Sequence, residues 1–283
     1  MKLCRFGQAN NERPGIIDSL GRVRDLSAVI PDIHPEFLSD EALARIAAVD
    51  IACLPLVPGP IRYAPPVSRI AKYLAIGLNY RDHAIEANLP IPTEPVIFTK
   101  AVSCINGADD PIVQPPHSTK LDWELELGVV IGRRASFIDE AQALEHVAGY
   151  CVANDVSDRG FQFQSSQWDK GKGCDTFGPI GPWLVTRDEV PDPQNLEMWM
   201  ELNGQRRQHG NTRTMIFGVA QIVAYCSRYM TLFPGDVICT GTPPGVGMAA
   251  KPEPRFLKPG DELHLCIAGL GEQHQRVVSF SSA

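Results

Sequence analysis

The chain has 283 residues, 44% of them apolar and 21% charged, a composition that fits a folded globular protein and excludes wholesale disorder. Lys and Arg number 26 against 33 Asp and Glu, giving a formal net charge of −7 with no basic cluster, which argues against a nucleic-acid partner. No apolar run is long enough to span a bilayer, and Met1 to Phe6 lack the apolar stretch of a signal peptide, so no membrane partner and a cytoplasmic location are expected.

In chain order, residues 1–65 read as a small N-terminal domain. Lys2–Phe6, Pro14–Asp18 and Arg22–Leu26 predict short strands, broken by turns at Asn10-Asn11 and Leu20-Gly21. Ser39 to Val49 predicts a helix, with Ser39 or Asp40 as its cap and Leu43, Ile46 and Ala47 on one stripe. Pro55, Pro58, Pro60, Pro65 and Pro66 then punctuate a linker, and residues 66–283 read as a larger domain. Within it, Ile70–Gly77, Pro95–Thr99, Leu121–Gly132 and Gly149–Ala153 predict strands, Ile138–Glu145 a modest helix, and residues 214–229 a longer one. Two Pro-Gly-Asp turns, at Pro234 and Pro259, each precede an apolar strand and suggest similar turns within one sheet system. With 24 Gly and 24 Pro, a β-rich α+β fold is expected. The eight cysteines are scattered singly with no C-x-x-C pair, which predicts reduced core thiols and neither a zinc site nor a disulfide framework.

The segment Asp122-Trp123-Glu124-Leu125-Glu126-Leu127-Gly128-Val129 carries the most chemical information. On a strand, alternation puts Trp123, Leu125, Leu127 and Val129 on one face and Glu124 and Glu126 on the other. Two glutamates about 5 Å apart at an effective dielectric near 20 repel by roughly 3 kcal/mol, so a proton, a basic partner or a cation must offset them. Asp155 ends another apolar strand and supplies a third carboxylate. Three carboxylates without Cys or His suit a hard divalent ion, Mg²⁺, Mn²⁺ or Ca²⁺, although a solvated strand face has the same pattern. A second cluster runs from Gly77 to Glu86. His83 and Glu86 lie three apart, so on a helix they share a face, where a glutamate orients a histidine and raises its basicity, the arrangement of a general base; a surface histidine near a helix start has the same spacing. In a third stretch, Gly171 and Gly173 flank Lys172, letting the backbone approach a ligand and Lys172 reach an anion or a developing enolate, unless this is an ordinary surface loop. Thr240 to Gly247 ends a strand in a Gly-Pro loop able to present hydroxyls and amides, and it lacks the G-x-G-x-x-G spacing of a dinucleotide site.

Taken in order, G-L-N-Y-x-x-H-A-x-E from Gly77, P-x-x-F-x-K from Pro95 to Lys100, D-W-E-x-E-L-G-V-V-I-G from Asp122, G-Y-x-x-x-N-D-V-S-D-R-x-x-Q from Gly149, G-K-x-x-D-T-F-G-P-I-G-P-W from Gly171 and P-G-D-V-I-x-T-G-T-P-x-G-V-G from Pro234 resemble the fumarylacetoacetate hydrolase family over about residues 70–275. The stretch Gln167 to Leu196 looks like a bacterial branch often labelled ureidoglycolate lyase, whose members act as 2,4-diketo-3-deoxy-sugar-acid hydrolases. The resemblance implies a β-rich catalytic domain in a homodimer or larger homo-oligomer, with Mg²⁺ or Mn²⁺ on Glu124, Glu126 and Asp155. It implies that His83 and Glu86 activate water, that Lys172 is the catalytic lysine, and that Arg159, Gln162, Thr242 and Thr176 bind substrate. Larger eukaryotic relatives use a further aspartate ligand upstream of the histidine; Ile76 to Tyr80 here holds no carboxylate, so water or substrate is expected in that position. The implied reaction is hydrolysis of the C3–C4 bond of an anionic 2,4-diketo acid. The first expectation for the substrate is 2,4-diketo-3-deoxy-L-rhamnonate, giving pyruvate and L-lactate, with hydrogen-bonding side chains lining the distal pocket. Ureidoglycolate cleavage, oxaloacetate decarboxylation or isomerisation would use the same residues.

Overall fold

The longest apolar runs of the sequence become the middle of one large sheet. In the computed structural model, which describes residues 1–281, an eleven-stranded sheet runs in the order Val23–Asp25, Arg13–Ile17, Lys2–Phe6, Gly178–Thr186, Val147–Asn154, Leu125–Ile131, Val237–Cys239, Tyr73–Gly77, Val96–Lys100, with two short strands off this path. Neighbours along that path are antiparallel except Val237–Cys239 beside Tyr73–Gly77, which is parallel. Every residue of Leu125–Ile131 and Val147–Asn154 is buried, as continuous apolar runs covered on both faces should be. A second, five-stranded sheet runs Gln205–Asn211, Glu197–Leu202, Glu262–Ile267, Gly271–Ser279, Ile112–Gln114. Its inward residues Met198, Met200, Leu263 and Leu265 join one core with Leu125, Leu127 and Val129 of the main sheet. The mixed, mostly β architecture is the α+β class expected.

Residues 1–65, which the sequence sets apart, contribute four strands to one edge of the main sheet, Tyr63–Ala64 among them, through Lys2–Phe6 against Gly178–Thr186. Their Leu3, Ile16 and Leu26 share the same core, and Arg5 is tied to Asp32 by bonds of 2.7 and 3.0 Å. The helix there spans Asp40–Ala47, and Ser39 caps it by accepting from the Ala42 N–H at 3.2 Å.

Three expectations need correction. The strand read as Leu121–Gly132 is interrupted: Leu121–Asp122 pairs with Ser157–Asp158, and Trp123 and Glu124 leave strand geometry before Leu125 resumes it. The helix read over residues 214–229 begins at Val219, after a 3₁₀ turn at Thr212–Thr214, because Gly218 is extended (φ −71°, ψ 167°) and stands as the N-cap. The two Pro-Gly-Asp turns serve different sheets, the first leading into Val237–Cys239 and the second into Glu262–Ile267. All eight cysteines are free, five of them buried. No helix among the described residues is long and apolar enough to cross a membrane.

Candidate active site

Two central strands meet at the floor of the site. Glu126 lies in Leu125–Ile131, Glu124 immediately precedes it, and Asp155 follows the last residue of Val147–Asn154. Pairing continues past the strand ends: the Asp155 N–H donates to the Glu124 carbonyl at 2.9 Å, and the Asn154 side-chain oxygen accepts from the Glu124 N–H at 3.1 Å. One oxygen from each of Glu124, Glu126 and Asp155 lies within 4.8 Å of the others, and all three side chains are buried. Lys172 Nζ bridges two of them, 2.7 Å from Glu124 and 2.6 Å from Asp155. Arg159 Nη2 donates to Glu124 at 2.6 Å, and Lys100 Nζ donates to Asp155 at 2.6 Å. Burial alone would raise Glu124, but the charges of Arg159 and Lys172 hold its carboxyl well below the usual range. Glu126 is the opposite case. Its hydrogen-bond donor is the Gly241 N–H at 2.6 Å, and burial followed by the charges of Asp155 and Glu124 pushes its carboxyl well above the ordinary value.

His83 stands at the side of the same cavity, on the short helix Arg81–Glu86. It is 8% exposed, so it is a buried histidine and not a surface one. Its Nδ1 is 3.2 Å from Glu86, whose carboxylate also accepts from the Gly245 N–H at 3.1 Å. Asn79 holds the start of this segment, donating to the carbonyls of Phe217 and Thr240 and accepting from the Phe217 N–H. The cavity, about 500 Å³, is bounded by Glu124, Glu126, Arg159, Gln162, Lys172 and His83 at its inner end. Its outer wall is Leu78, Leu89, Ile91, Val96, Phe98 and Trp168. The expected hydrogen-bonding lining of the distal pocket is therefore not what the structure has: that wall is mainly apolar, with Thr93 its hydroxyl.

A sequence profile of the family described as fumarylacetoacetate hydrolase, C-terminal, matches residues 72–278, which takes in the whole floor and His83. The chain belongs to the fumarylacetoacetate hydrolase family. A Burkholderia orbicola protein named only as a hydrolase is 61% identical over 277 residues, 98% of each chain. The solved fumarylacetoacetate hydrolase of Exiguobacterium antarcticum is 35% identical, with a TM-score of 0.89 over 99% of this chain and 100% of that one. The maleylpyruvate hydrolase of Sphingobium sp. SYK-6, solved with manganese(II) and pyruvate, is 28% identical, with a TM-score of 0.84 over 99% of this chain and 100% of that one.

The residues that this family resemblance singles out come together with one exception. Glu124, Glu126, Lys172, His83, Arg159, Gln162 and Thr242 all line the cavity, Asp155 lies buried behind Lys172 and beside the two glutamates, and Glu86 stands behind His83. Thr176 does not. It sits at φ +68° in a turn, which aims its hydroxyl at the Val113 N–H 2.9 Å away, so it ties down a neighbouring strand and is withdrawn from substrate contact. Thr242 lines the cavity, but its hydroxyl donates to the Leu125 carbonyl at 2.9 Å and accepts from Gln208 at 2.7 Å. Arg159 spends Nε on Asp122, Nη1 on Gln162 and Nη2 on Glu124, so most of its donors position other residues. The glycine beside Lys172 also has a different use from the one expected. A Cβ at Gly171 would lie 2.5 Å from the Gln162 nitrogen, so the glycine lets the helix Asp169–Lys172 pack on the helix Arg159–Gln162, whose backbone occupies the space a ligand was expected to use.

Two residues inside the quoted motifs received no role from sequence reasoning. Lys100 is buried at 2% exposure and its Nζ reaches both Asp155 and the Lys172 carbonyl. Asp122 accepts from Arg159 Nε and from the Gly247 and Met248 N–H groups. The available signal was a charged residue inside an apolar strand: Asp122 closes the β-bridge opposite Ser157, and Lys100 ends Val96–Lys100. The donor set fits a divalent cation on two counts. All three ligand atoms are carboxylate oxygens. The carboxylates of Asp122, Glu124, Glu126 and Asp155 also outnumber Lys100, Lys172 and Arg159, the side-chain cations paired to them, and the surplus falls on Glu126.

Proposed function

We propose that the chain hydrolyses the C3–C4 bond of a 2,4-diketo acid, releasing pyruvate and a second carboxylic acid, with Mg²⁺ or Mn²⁺ held by Glu124, Glu126 and Asp155. The machinery lies in residues 66–283, and every residue assigned a role lies between His83 and Thr242. When bound, the ion supplies Lewis-acid polarisation at the oxo-acid end of the substrate. His83 donates Nδ1–H to Glu86, which leaves Nε2 to take a proton from water as its oxygen adds to C4. The C3–C4 bond then breaks, its electron pair passing to the pyruvate enolate. The proton held by His83 returns to C3, and the water oxygen remains in the second acid. Lys172, locked between Glu124 and Asp155, places a fixed positive charge beside the enolate as it forms. Gln162 accepts from Arg159 through its oxygen and keeps its NH₂ for the substrate carboxylate.

The observation that carries this reading is the convergence of Glu124, Glu126 and Lys172 at one end of a cavity, with Asp155 buried directly behind them and the His83–Glu86 pair beside them. A manganese- and pyruvate-bound relative supports both the metal and the product. The outer wall favours an apolar or unsaturated acyl group over the hydroxylated tail of the rhamnonate-derived acid, because that tail would leave its hydroxyls unpaired against Phe98, Trp168 and Ile91. A panel of acylpyruvates, the deoxy-rhamnonate diketo acid, ureidoglycolate and oxaloacetate, assayed with Mg²⁺ for each product, tests the reading. Pyruvate release fastest from apolar acylpyruvates and abolished by chelator is expected. Glyoxylate or CO₂ as the main product, or full activity without metal, overturns it.

A further inference from the structure

The five-stranded sheet turns an unusual set of side chains outward. Alternation along Glu262–Ile267 buries Leu263 and Leu265 and leaves His264 on the outer face; along Gly271–Ser279 it buries Gln273 and Gln275 and leaves Glu272 and His274 outside. His264 and His274 are direct cross-strand partners. Their rings stack with centroids 4.1 Å apart and planes 25° apart. One carboxylate oxygen of Glu272 lies 2.8 Å from His264 Nε2 and 3.8 Å from His274 Nε2. One donor atom from each of the three lies within 4.8 Å of the others. The Trp199 ring packs edge-on against His264 at 4.8 Å, and Arg206 lies over Trp199 at 4.1 Å, so the His264 ring is held between Trp199 and His274. His264 and His274 border a hollow of about 540 Å³ that also carries Asp109, Glu201 and Glu262, three carboxylates against the single cation Arg276, a balance that favours cation entry.

We propose that His264, Glu272 and His274 form a second metal site, on the outer sheet face, for a late first-row divalent cation. Two imidazoles and one carboxylate suit Zn²⁺, Cu²⁺ or Ni²⁺, whereas the all-oxygen floor suits Mg²⁺ or Mn²⁺. The two sites therefore sort ions by donor type within one chain. The cross-strand register supplies two of the ligands on facing strands, and a bound ion staples the hairpin from Glu262 to Ser279. Because His274 and Glu272 are exposed, at least one coordination position stays open to solvent.

The test uses tag-free full-length protein, stripped with chelator, dialysed into saturating Mg²⁺ and titrated with Zn²⁺ by calorimetry. The wild type is expected to take up a zinc equivalent that His274→Ala weakens at least tenfold and the His264→Gln/His274→Ala pair abolishes, while Glu126→Gln retains it. Zinc uptake unchanged in the paired variant, lost in Glu126→Gln, or absent from the wild type overturns the proposal. A second readout does not depend on stoichiometry: Cu²⁺ at this site should show nitrogen coupling from two imidazoles in its paramagnetic resonance spectrum. A spectrum without that coupling, or one unchanged by the paired substitution, also overturns it.

Discussion

Glu126 and Glu86 both serve the same cavity, yet the protein treats them in opposite ways. At the floor, Glu126 is 2% exposed, sits in a strand buried along its whole length, and has the Gly241 N–H as its donor. Behind the rim, the Glu86 side chain is 28% exposed on a six-residue helix whose first residue has no side-chain cap, and it is steadied by His83 and the Gly245 N–H. The floor stores charge in a low-dielectric place where it is costly without a cation. The rim keeps a carboxylate ionised near water, where it orients a base. Around it, Ile85, Leu89 and Ile91 are exposed apolar residues on the same segment, which suits a wall completed by the substrate's own apolar part. Under the proposed function, binding a charge and activating a nucleophile thus fall to different regions with different mechanical character.

The strongest way to break that contrast is Glu126→Gln. The amide keeps the shape and removes the carboxylate that a cation would meet, so affinity for Mg²⁺ or Mn²⁺ should fall at least about 100-fold and turnover at least about 1,000-fold. Stability in chelator should not fall, because burial and the charges of Asp155 and Glu124 already disfavour the ionised form of Glu126, and no ion pair is broken by the amide. Metal titration and thermal melting in chelator check both halves. Retained metal affinity would mean that Glu126 is not a ligand, and a large drop in melting temperature would mean that its role is structural. Second in size is His83→Ala at the rim. Turnover should fall about 100- to 1,000-fold, with metal affinity within about twofold of wild type. Loss of the metal in this variant would merge floor and rim into one unit and reassign His83 as a ligand.

The floor was more legible in the sequence than the rim. Glu124 and Glu126 interrupt an apolar run at strand spacing, and Asp155 ends another, a pattern that short-range periodicity can expose. Which cations answer them is a long-range matter. Lys100 reaches Asp155 across 55 residues and Lys172 reaches Glu124 across 48, and the charge that ends Val96–Lys100 does not by itself say which carboxylate it answers. Thr176 shows the converse. A motif placed it near the site, but a left-handed turn decides where its hydroxyl points, and Val113 takes it. The apolar wall was the least legible part, because it is assembled from Leu89, Ile91, Val96, Phe98 and Trp168 on three separate segments, and only their meeting makes a surface. The strands of residues 1–65 were readable from alternation and turns, whereas their pairing with Gly178–Thr186 depends on contacts some 180 residues away.

The smallest expected effect separates charge from orientation at the rim. In Glu86→Gln, the side-chain oxygen still accepts from His83 and from Gly245, so the ring stays aimed while the negative charge behind it is lost. Turnover should fall about tenfold, well short of His83→Ala, with KM nearly unchanged. The stability change has a defined sign. Burial pushes the Glu86 carboxyl up, but the hydrogen bonds from His83 and Gly245 outweigh it and hold the group below its ordinary value. A depressed acid contributes stability above its unfolded value of about 4.3 and loses it as pH falls through the folded value. The wild type should therefore be slightly the more stable at neutral pH, by less than about 1 kcal/mol for so accessible a pair, and the two melting curves should converge in acid. A gap that widened in acid would mean that Glu86 is protonated where it does its work, and the rim would then resemble the floor.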